Sequence, residues 1–313
     1  MTNKHVADIG TGWPKLPPLK AWEDTCTTVH MWTQIVGKVR LMLSPDINHS
    51  WGCTLYVSTR GLTTSPIPYR GLVFAIDFDF IDHMLHISTS EGTKRSFALR
   101  PMSVADFYHQ MMRVLEELNI EISILTKPSE VDVAIPFEKD DQHASYDIES
   151  MTHFWRALVQ ADRVLKGFRA RFVGKASPVH FFWGWFDLAA TRFSGRTAPK
   201  HPGGVPNVAA RITEEAYTQE VWGGGFWPGT GLGEAAFYAY AYPEPAGFDK
   251  YLIQPESAYF HDKLDKFVLP YETVRASADP DQMLLSFFQT TYEAVANLAH
   301  WDRDSLERKV IEA

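Results

Sequence analysis

The chain has 313 residues, of which 45% are hydrophobic and 22% are charged, and its formal net charge is −8 at pH 7. This balance is typical of a globular protein and excludes a disordered chain, a collagen and a coiled-coil rod. The sequence has no block of like charge, which argues against binding to nucleic acid. It also has no run of 18 apolar residues, so we expect neither a transmembrane helix nor a membrane partner.

The first 20 residues lack the apolar core of a signal peptide. The two cysteines, Cys26 and Cys53, are too few for a disulfide framework. We therefore expect a reduced, cytoplasmic protein. The sequence contains no Walker loop, no His-Glu-x-x-His helix and no Gly-x-Ser-x-Gly elbow, so it predicts no cofactor and no metal site.

Hydrophobic spacing predicts helices and strands in the first part of the chain. An apolar stripe between Val29 and Leu43 recurs every three or four residues, which is typical of an amphipathic helix. Large apolar residues alternate with smaller or acidic ones at 74–80, which predicts a strand. Ser103, followed by Asp106, predicts the N-terminus of a second helix.

Similar elements are predicted in the same order further along the chain. Apolar residues between Phe154 and Phe172 predict a helix of four turns. The alternation of tyrosine and alanine at 238–242 predicts a strand. Asp279, followed by Pro280, predicts the start of the last long helix.

Two segments also share a sequence pattern. Residues 44–60 are SPDINHSWGCTLYVSTR, and residues 177–192 are SPVHFFWGWFDLAATR. Four residues of the first segment match four of the second at one constant offset: Trp51, Gly52, Thr59 and Arg60 match Trp183, Gly184, Thr191 and Arg192. His49 matches His180 with a slip of one residue. We interpret the pattern as an internal duplication.

The sequence therefore predicts an α+β protein made of two tandem helix–four-strand–helix repeats, with mostly antiparallel sheets and a pseudo-twofold arrangement. The predicted parts are an extended N-terminal segment at 1–20, a first repeat at 21–125, a connection at 126–146 and a second repeat at 147–313. The second copy is longer by about 38 residues, which places a glycine-rich insertion at 195–234. Long insertions of this kind are often functional or mobile loops.

The candidate site lies between the sheet of the second repeat and this insertion. If 183–192 form one strand, Asp187 shares a face with Trp183 and Trp185, and burial would raise its pKa. Asp187 is thus a candidate general acid or base, or a ligand anchor. The alternative is a buried ion pair with an arginine such as Arg192 or Arg163. His180 is a second candidate for proton transfer, although a histidine at a strand entry often only bonds to backbone.

An aromatic pocket with a few polar groups is the usual form of a small-molecule site. Six further residues are expected to line it: Trp183, Trp185, Trp227, Tyr240, Arg192 and Glu220. Such a site would belong to a small-molecule-binding protein or to a cofactor-independent enzyme that works by hydrolysis or proton transfer. The alternative is a non-catalytic interaction module, or a homodimer, whose interface uses Trp222, Phe226 and Trp227.

Several longer runs of sequence resemble a family of bacterial proteins known as a domain of unknown function. The runs are WTQIVGKVR at 32–40, TRGLTTSPIPY at 59–69, GKASPVHFFWG at 174–184, HPGG at 201–204 and FYAYAY at 237–242. The resemblance covers nearly the whole chain and implies a bacterial cytoplasmic protein. It implies no activity, cofactor or catalytic residue.

Overall fold

The computed structural model describes residues 12–309 and shows an α+β protein with two antiparallel sheets. The first part of the chain forms a long helix, a sheet of six short strands and a second helix. The elements are α1 (Glu23–Leu43), β1 (Tyr56–Val57), β2 (Gly61–Thr63), β3 (Ile67–Tyr69), β4 (Leu72–Asp79), β5 (Met84–Thr89), β6 (Lys94–Ala98) and α2 (Val104–Glu117).

The second part of the chain begins with a helix, forms the second six-stranded sheet with a short helix between two of its strands, and ends in further helices. Its elements are α3 (Ile148–Arg169), β7 (His180–Phe182), β8 (Asp187–Thr197), α4 (Ala210–Ala216), β9 (Gln219–Trp227), β10 (Ala236–Tyr242), β11 (Tyr259–His261), β12 (Lys266–Pro270), α5 (Tyr271–Arg275), α6 (Pro280–Leu298) and α7 (Arg303–Leu306). Short 3-10 segments lie at Leu19–Ala21, Asn48–Cys53, Phe137–Lys139 and Phe248–Lys250.

The predicted helices and their caps are present. The apolar stripe of α1 is buried, and Trp32 stacks on Phe107 of α2 with ring centres 4.8 Å apart. Ser103 accepts a hydrogen bond from the backbone N–H of Asp106, as an N-cap does. Asp279 caps α6 in the same way, with proline as the first helical residue.

In both sheets, most strands pair with the strand that precedes or follows them in the sequence. The strand order is β1-β2-β4-β5-β6 in the first sheet, where β3 also pairs with β4, and β7-β8-β9-β10-β12-β11 in the second. An antiparallel bridge between Leu55 and Phe181 joins the two sheets. The indole of Trp183, from the second part, packs against Gly37 of α1, so the two parts share one hydrophobic core.

The predicted repeat is wrong in two details. Each sheet has six strands rather than four, because strands of two or three residues leave no alternating pattern to detect. The matched residues also lie in different elements. Trp51 is in a 3-10 turn, whereas Trp183 is in the tight turn between β7 and β8. Residues 183–192 therefore do not form one strand, since the chain reverses direction before Asp187.

The segment 195–234 is not a single long loop. It contains the end of β8, helix α4 and all of β9, which lies in the middle of the second sheet. Residues Gly223, Gly224 and Gly225 lie within β9 because neighbouring aromatic rings occupy the space that a Cβ atom would need. Glycine here serves close packing, which sequence composition does not distinguish from flexibility.

The N-terminal residues from 12 onward are extended against the second sheet. Trp13 is buried, its ring lies 5.9 Å from that of Phe237, and its indole N–H donates to Asp281. Residues 1–11 of the extended segment predicted at 1–20 lie outside the described residues. No helix within 12–309 is both long enough and apolar enough to cross a bilayer.

Candidate functional site

The second sheet has two different faces. The face toward α3 and α6 carries Trp222 and Phe226, both fully buried. Residues that pair directly across antiparallel strands share a face, and on the opposite face Ala189 pairs with Gly225, which pairs with Tyr238. We call this second surface the tyrosine face; its residues include Asp187, Ala189, Gly223, Gly225, Tyr238, Tyr240, Lys266 and Val268.

The glycines of β9 form the floor of the tyrosine face. A Cβ atom on Gly223 would lie 2.6 Å from the ring of Tyr240, and one on Gly225 would lie 2.8 Å from the hydroxyl of Tyr238. The two tyrosine rings therefore lie over the strand, stacked with centres 6.3 Å apart and planes 15° apart. This arrangement brings two phenol groups over the centre of the sheet.

Asp187 is the buried acid of this face. The hydroxyl of Tyr238 donates a hydrogen bond to its Oδ2 atom, while Oδ1 is buried and has no partner among residues 12–309. Burial raises the pKa of Asp187 to about 6, although the bond from Tyr238 and the charge of Lys266 oppose the rise. Tyr238 remains a hydrogen-bond donor because burial raises the pKa of its hydroxyl well above the ordinary value.

Lys266 provides positive charge on the same face. Its ammonium lies 5.2 Å from the ring centre of Tyr238, in a cation–π arrangement. Burial lowers the pKa of Lys266, and the nearby charge of Asp187 opposes that effect. Asp187 and Lys266 therefore each oppose the pKa shift that burial causes in the other, although they do not form a close ion pair.

Glu130 brings a second acid from outside the sheet. It belongs to the irregular segment before α3, and its carboxylate lies against Gly184, where a Cβ atom would collide with it. Its Oε2 atom is buried and unpartnered within the described part of the chain. Burial and the charge of Asp187 raise the pKa of Glu130 to about 8, against the opposing charge of Lys38.

Both acids are next to strained backbone. Glu130 itself has a φ of 62°, and its N–H donates to the carbonyl of Pro206 over 2.8 Å. Phe186, immediately before Asp187, has a φ of 56°. Left-handed conformations at residues other than glycine cost free energy, which the surrounding contacts must offset.

The rim of the site contains a third tyrosine. Tyr217 follows α4; its hydroxyl donates to that of Tyr240 over 3.4 Å, and its ring stacks on His201 at 4.5 Å. Tyr217, Tyr240 and Lys266 are each partly exposed. The tyrosine face is therefore partly exposed to solvent at these three side chains.

Some predicted residues lie together at this site. Asp187 and Tyr240 both flank Tyr238, and the ring of Trp227 lies 5.5 Å from that of Tyr238. Trp183 is buried nearer to Glu130, and its indole N–H donates to the carbonyl of Cys53. Trp185 lies in the turn before Asp187 with 62% of its surface exposed.

Arg192 and Glu220 lie on the opposite face, toward the helices. Arg192 of β8 pairs with Trp222 of β9, so its side chain lies on the face toward the helices. There it donates a hydrogen bond to the carbonyl of Phe168. Glu220 forms an ion pair with Arg196 at 2.6 Å. The structure therefore does not place Arg192 and Glu220 beside Asp187 as expected, because side chains of successive strand residues point to opposite faces.

The alternative prediction, an ion pair of Asp187 with Arg192 or Arg163, is also wrong. Arg192 lies on the other face, and Arg163 instead donates to Asp281, with an Nη2–Oδ1 distance of 2.7 Å. Asp187 thus has no arginine counter-ion within residues 12–309. Its charge is balanced by more distant groups only.

His180 forms no hydrogen bond with Asp187 in the described structure, although it pairs with Ala189 of the tyrosine face. Its Nδ1 atom lies 2.8 Å from the hydroxyl of Thr54, from the first part of the chain. Burial, together with the charges of Arg40 and Arg169, lowers the pKa of His180 to about 3. The imidazole is therefore neutral near pH 7 and has no proton to give as an acid.

The aromatic residues predicted to form an interaction surface are not exposed. Trp222 and Phe226 are 0% exposed and pack in the main core, and Trp227 is only 9% exposed. The prediction that these three residues form a protein interface is therefore wrong. The sequence pattern was misleading because tryptophan beside glycine occurs both in loops and in tightly packed strands.

The sequence analysis did not identify Tyr238, Glu130 and Lys266 as site residues. Tyr238 could have been found, because it shares a strand face with Tyr240 by simple alternation. Glu130 follows Ser129 in an irregular segment, where periodicity carries no information. Within residues 12–309, no three histidine, cysteine or acidic side chains are grouped so that they could hold a metal ion.

Comparisons with other proteins identify the family but add no activity. No curated protein and no solved structure matches the chain. A family model described as a family of unknown function matches residues 13–308, nearly the whole sequence, and confirms the resemblance seen in the sequence. The chain therefore belongs to this family of unknown function, DUF5996.

Proposed function

We propose that the tyrosine face binds a small molecule and that Asp187 holds or transfers a proton there. The observation that carries this proposal is the carboxylate of Asp187, which is buried with one oxygen bonded to Tyr238 and the other unpartnered in the described structure. Leaving a buried polar group unpaired costs about 1–3 kcal/mol. A ligand that donates a hydrogen bond to Oδ1 would recover that cost.

The protonation states suit cofactor-independent acid–base chemistry. With a pKa of about 6, Asp187 is mainly ionised at pH 7 but accepts a proton readily. Glu130, with a pKa of about 8, is mainly protonated at the same pH and is able to donate. Proton transfer and hydrolysis each require one group that accepts protons and another that donates them.

The aromatic rings provide binding surface for the same ligand. Tyr240 and Tyr217 are partly exposed, and Trp227 closes the far side of Tyr238. A mainly apolar surface with few polar groups is the usual form of a small-molecule site. We infer that the ligand has a flat or ring-shaped part that stacks on tyrosine and a polar group that contacts Asp187.

A metabolite screen by thermal shift tests this proposal. It compares the native protein with Asp187→Asn and with Asp162→Asn as a matched control. Asp162 is also buried, but it is paired with Lys166 on α3, outside the tyrosine face. We expect at least one compound to stabilise the native protein and Asp162→Asn but not Asp187→Asn. Equal stabilisation of all three proteins by every binding compound would contradict the proposal.

A further inference from the structure

A lysine and a histidine form a close pair at a second place on the same sheet. The Nζ atom of Lys175 lies 2.6 Å from Nε2 of His49. The other ring nitrogen of His49, Nδ1, lies 2.9 Å from the carbonyl oxygen of Ala216. Because a carbonyl only accepts hydrogen bonds, Nδ1 carries the proton of the neutral ring, and the lone pair of Nε2 faces the lysine.

This lysine has no acidic partner. No carboxylate within residues 12–309 forms an ion pair with Lys175, and its Nζ atom instead lies 4.7 Å from the ring centre of Phe193 and 5.8 Å from that of Trp51. The aromatic rings limit hydration of the ammonium, and burial lowers the pKa of Lys175. Lysines in such surroundings lose their proton more easily than exposed ones.

The position of His49 is maintained by unusual backbone. His49 has a φ of 61° and the next residue, Ser50, has a φ of 56°, so two consecutive residues other than glycine are left-handed. The 3-10 turn that contains them packs against α4, which also supplies the carbonyl of Ala216. The imidazole is thus oriented by groups from two separate parts of the chain.

The pair does not contact Asp187 itself, although Ala216, which orients His49, is next to Tyr217 at the rim of that site. Phe193, which contacts both Lys175 and His49, lies six residues after Asp187 on β8. At about 3.3 Å per residue, that separation along the strand is about 20 Å. Lys175 itself is partly exposed and accessible to small molecules.

We propose that Lys175 is a nucleophilic amine that condenses with small aldehydes or ketones and that His49 acts as its base. His49 Nε2 takes a proton from the ammonium, and the nitrogen lone pair then forms the C–N bond while the carbonyl electron pair moves to oxygen. A proton then moves from the new C–N nitrogen to the alkoxide oxygen, which gives a neutral carbinolamine. The His49 imidazolium returns its proton to the departing hydroxyl while the nitrogen lone pair forms the C=N bond, so the products are a protonated imine, one water molecule and neutral His49. No oxidant or reductant takes part.

The test uses propanal as the probe and sodium borohydride to trap the imine on the intact protein. Peptide mass spectrometry measures the labelling rate of each lysine at pH 7. We expect Lys175 to react faster than Lys250, whose side chain is 85% exposed, because burial lowers the pKa of Lys175 and His49 Nε2 lies 2.6 Å from its amine, so more of that amine is free to react. Labelling of Lys175 no faster than that of Lys250 would overturn the proposal, and this comparison needs no variant.

A variant tests the part played by His49. Glutamine at position 49 keeps a donor for the carbonyl of Ala216 but removes the basic nitrogen. We expect His49→Gln to slow labelling of Lys175 about tenfold while labelling of Lys250 is unchanged. An unchanged rate at Lys175 in the folded variant would show that His49 is not its base.

Discussion

Replacement of Asp187 by asparagine removes a charge that the folded protein buries without an ionic partner. Moving the pKa of one carboxyl from 3.8 to about 6 corresponds to about 3 kcal/mol, at about 1.36 kcal/mol per pH unit. The folded state binds this proton more tightly than the unfolded state does. The contribution of Asp187 to stability is therefore full below pH 3.8 and is lost as the pH rises toward 6.

We therefore expect Asp187→Asn to be more stable than the native protein at pH 7.5, by up to about 3 kcal/mol. The amide oxygen still accepts the hydrogen bond from Tyr238, so the local packing is kept. The gain should shrink toward zero near pH 4, where the native carboxyl is protonated. Taking the difference between the two proteins removes the contributions of groups that titrate alike in both.

Urea denaturation at several pH values between 4 and 8, followed by tryptophan fluorescence, measures this difference. Ten tryptophans provide the signal. The reasoning would be refuted if Asp187→Asn were less stable than the native protein at pH 7.5. A difference that did not change with pH would refute it as well, because it would mean that the carboxyl is not a buried titrating group.

Two other predictions concern the rest of the fold. Gly37→Ala should destabilise the protein by about 1–3 kcal/mol, because its Cβ atom would collide with the indole of Trp183. Gly167 lies in a helix with open space around it, so Gly167→Ala should instead stabilise the protein by about 0.5–1 kcal/mol. Equal effects of the two changes in urea denaturation would contradict this explanation. Asp79→Asn should destabilise the protein at pH 7 and progressively less as the pH falls below 4. Burial of Asp79 opposes ionisation, but the 2.6 Å hydrogen bond from Arg60 and other donors lower its pKa overall. The same urea denaturation series measures this loss of stability. A loss that grew toward low pH would contradict the prediction for Asp79.

Long amphipathic elements were predictable from the sequence, because their patterns depend only on local spacing. The stripe of α1, the alternation in β4 and β10 and the caps Ser103 and Asp279 all correspond to observed elements. Each rule involves residues a few positions apart, and the core lies on one side of the element. Tertiary contacts then reinforce the local preference rather than oppose it.

The tight turn at 183–186 was not predictable in the same way. Its residues are aromatic apart from Gly184, and Phe186 is left-handed although its side chain does not favour that conformation. Core contacts compensate for the strain, since Phe186 packs against Phe154 and Phe181. Because the turn reverses the chain, it decides which face Asp187 and Arg192 occupy.

The candidate site was predictable only in part for a related reason. Asp187 was identified because an acid among aromatic residues is unusual at the level of sequence alone. Glu130 was not, because its place beside Gly184 depends on a contact between residues more than 50 positions apart. Alternation along β10 gives the shared face of Tyr238 and Tyr240, whereas the packing of their rings depends on glycines in a neighbouring strand.

The protonation of Asp187 is the most direct test of the proposed site. Carbon-13 NMR of the side-chain carboxyl, assigned by comparison with Asp187→Asn, gives its titration midpoint in the free protein. We expect a midpoint near pH 6, as burial without an ionic partner requires. A midpoint at or below pH 4 would mean that the carboxylate is solvated or paired. It would contradict the proposal that Asp187 holds or transfers a proton in a ligand-binding site.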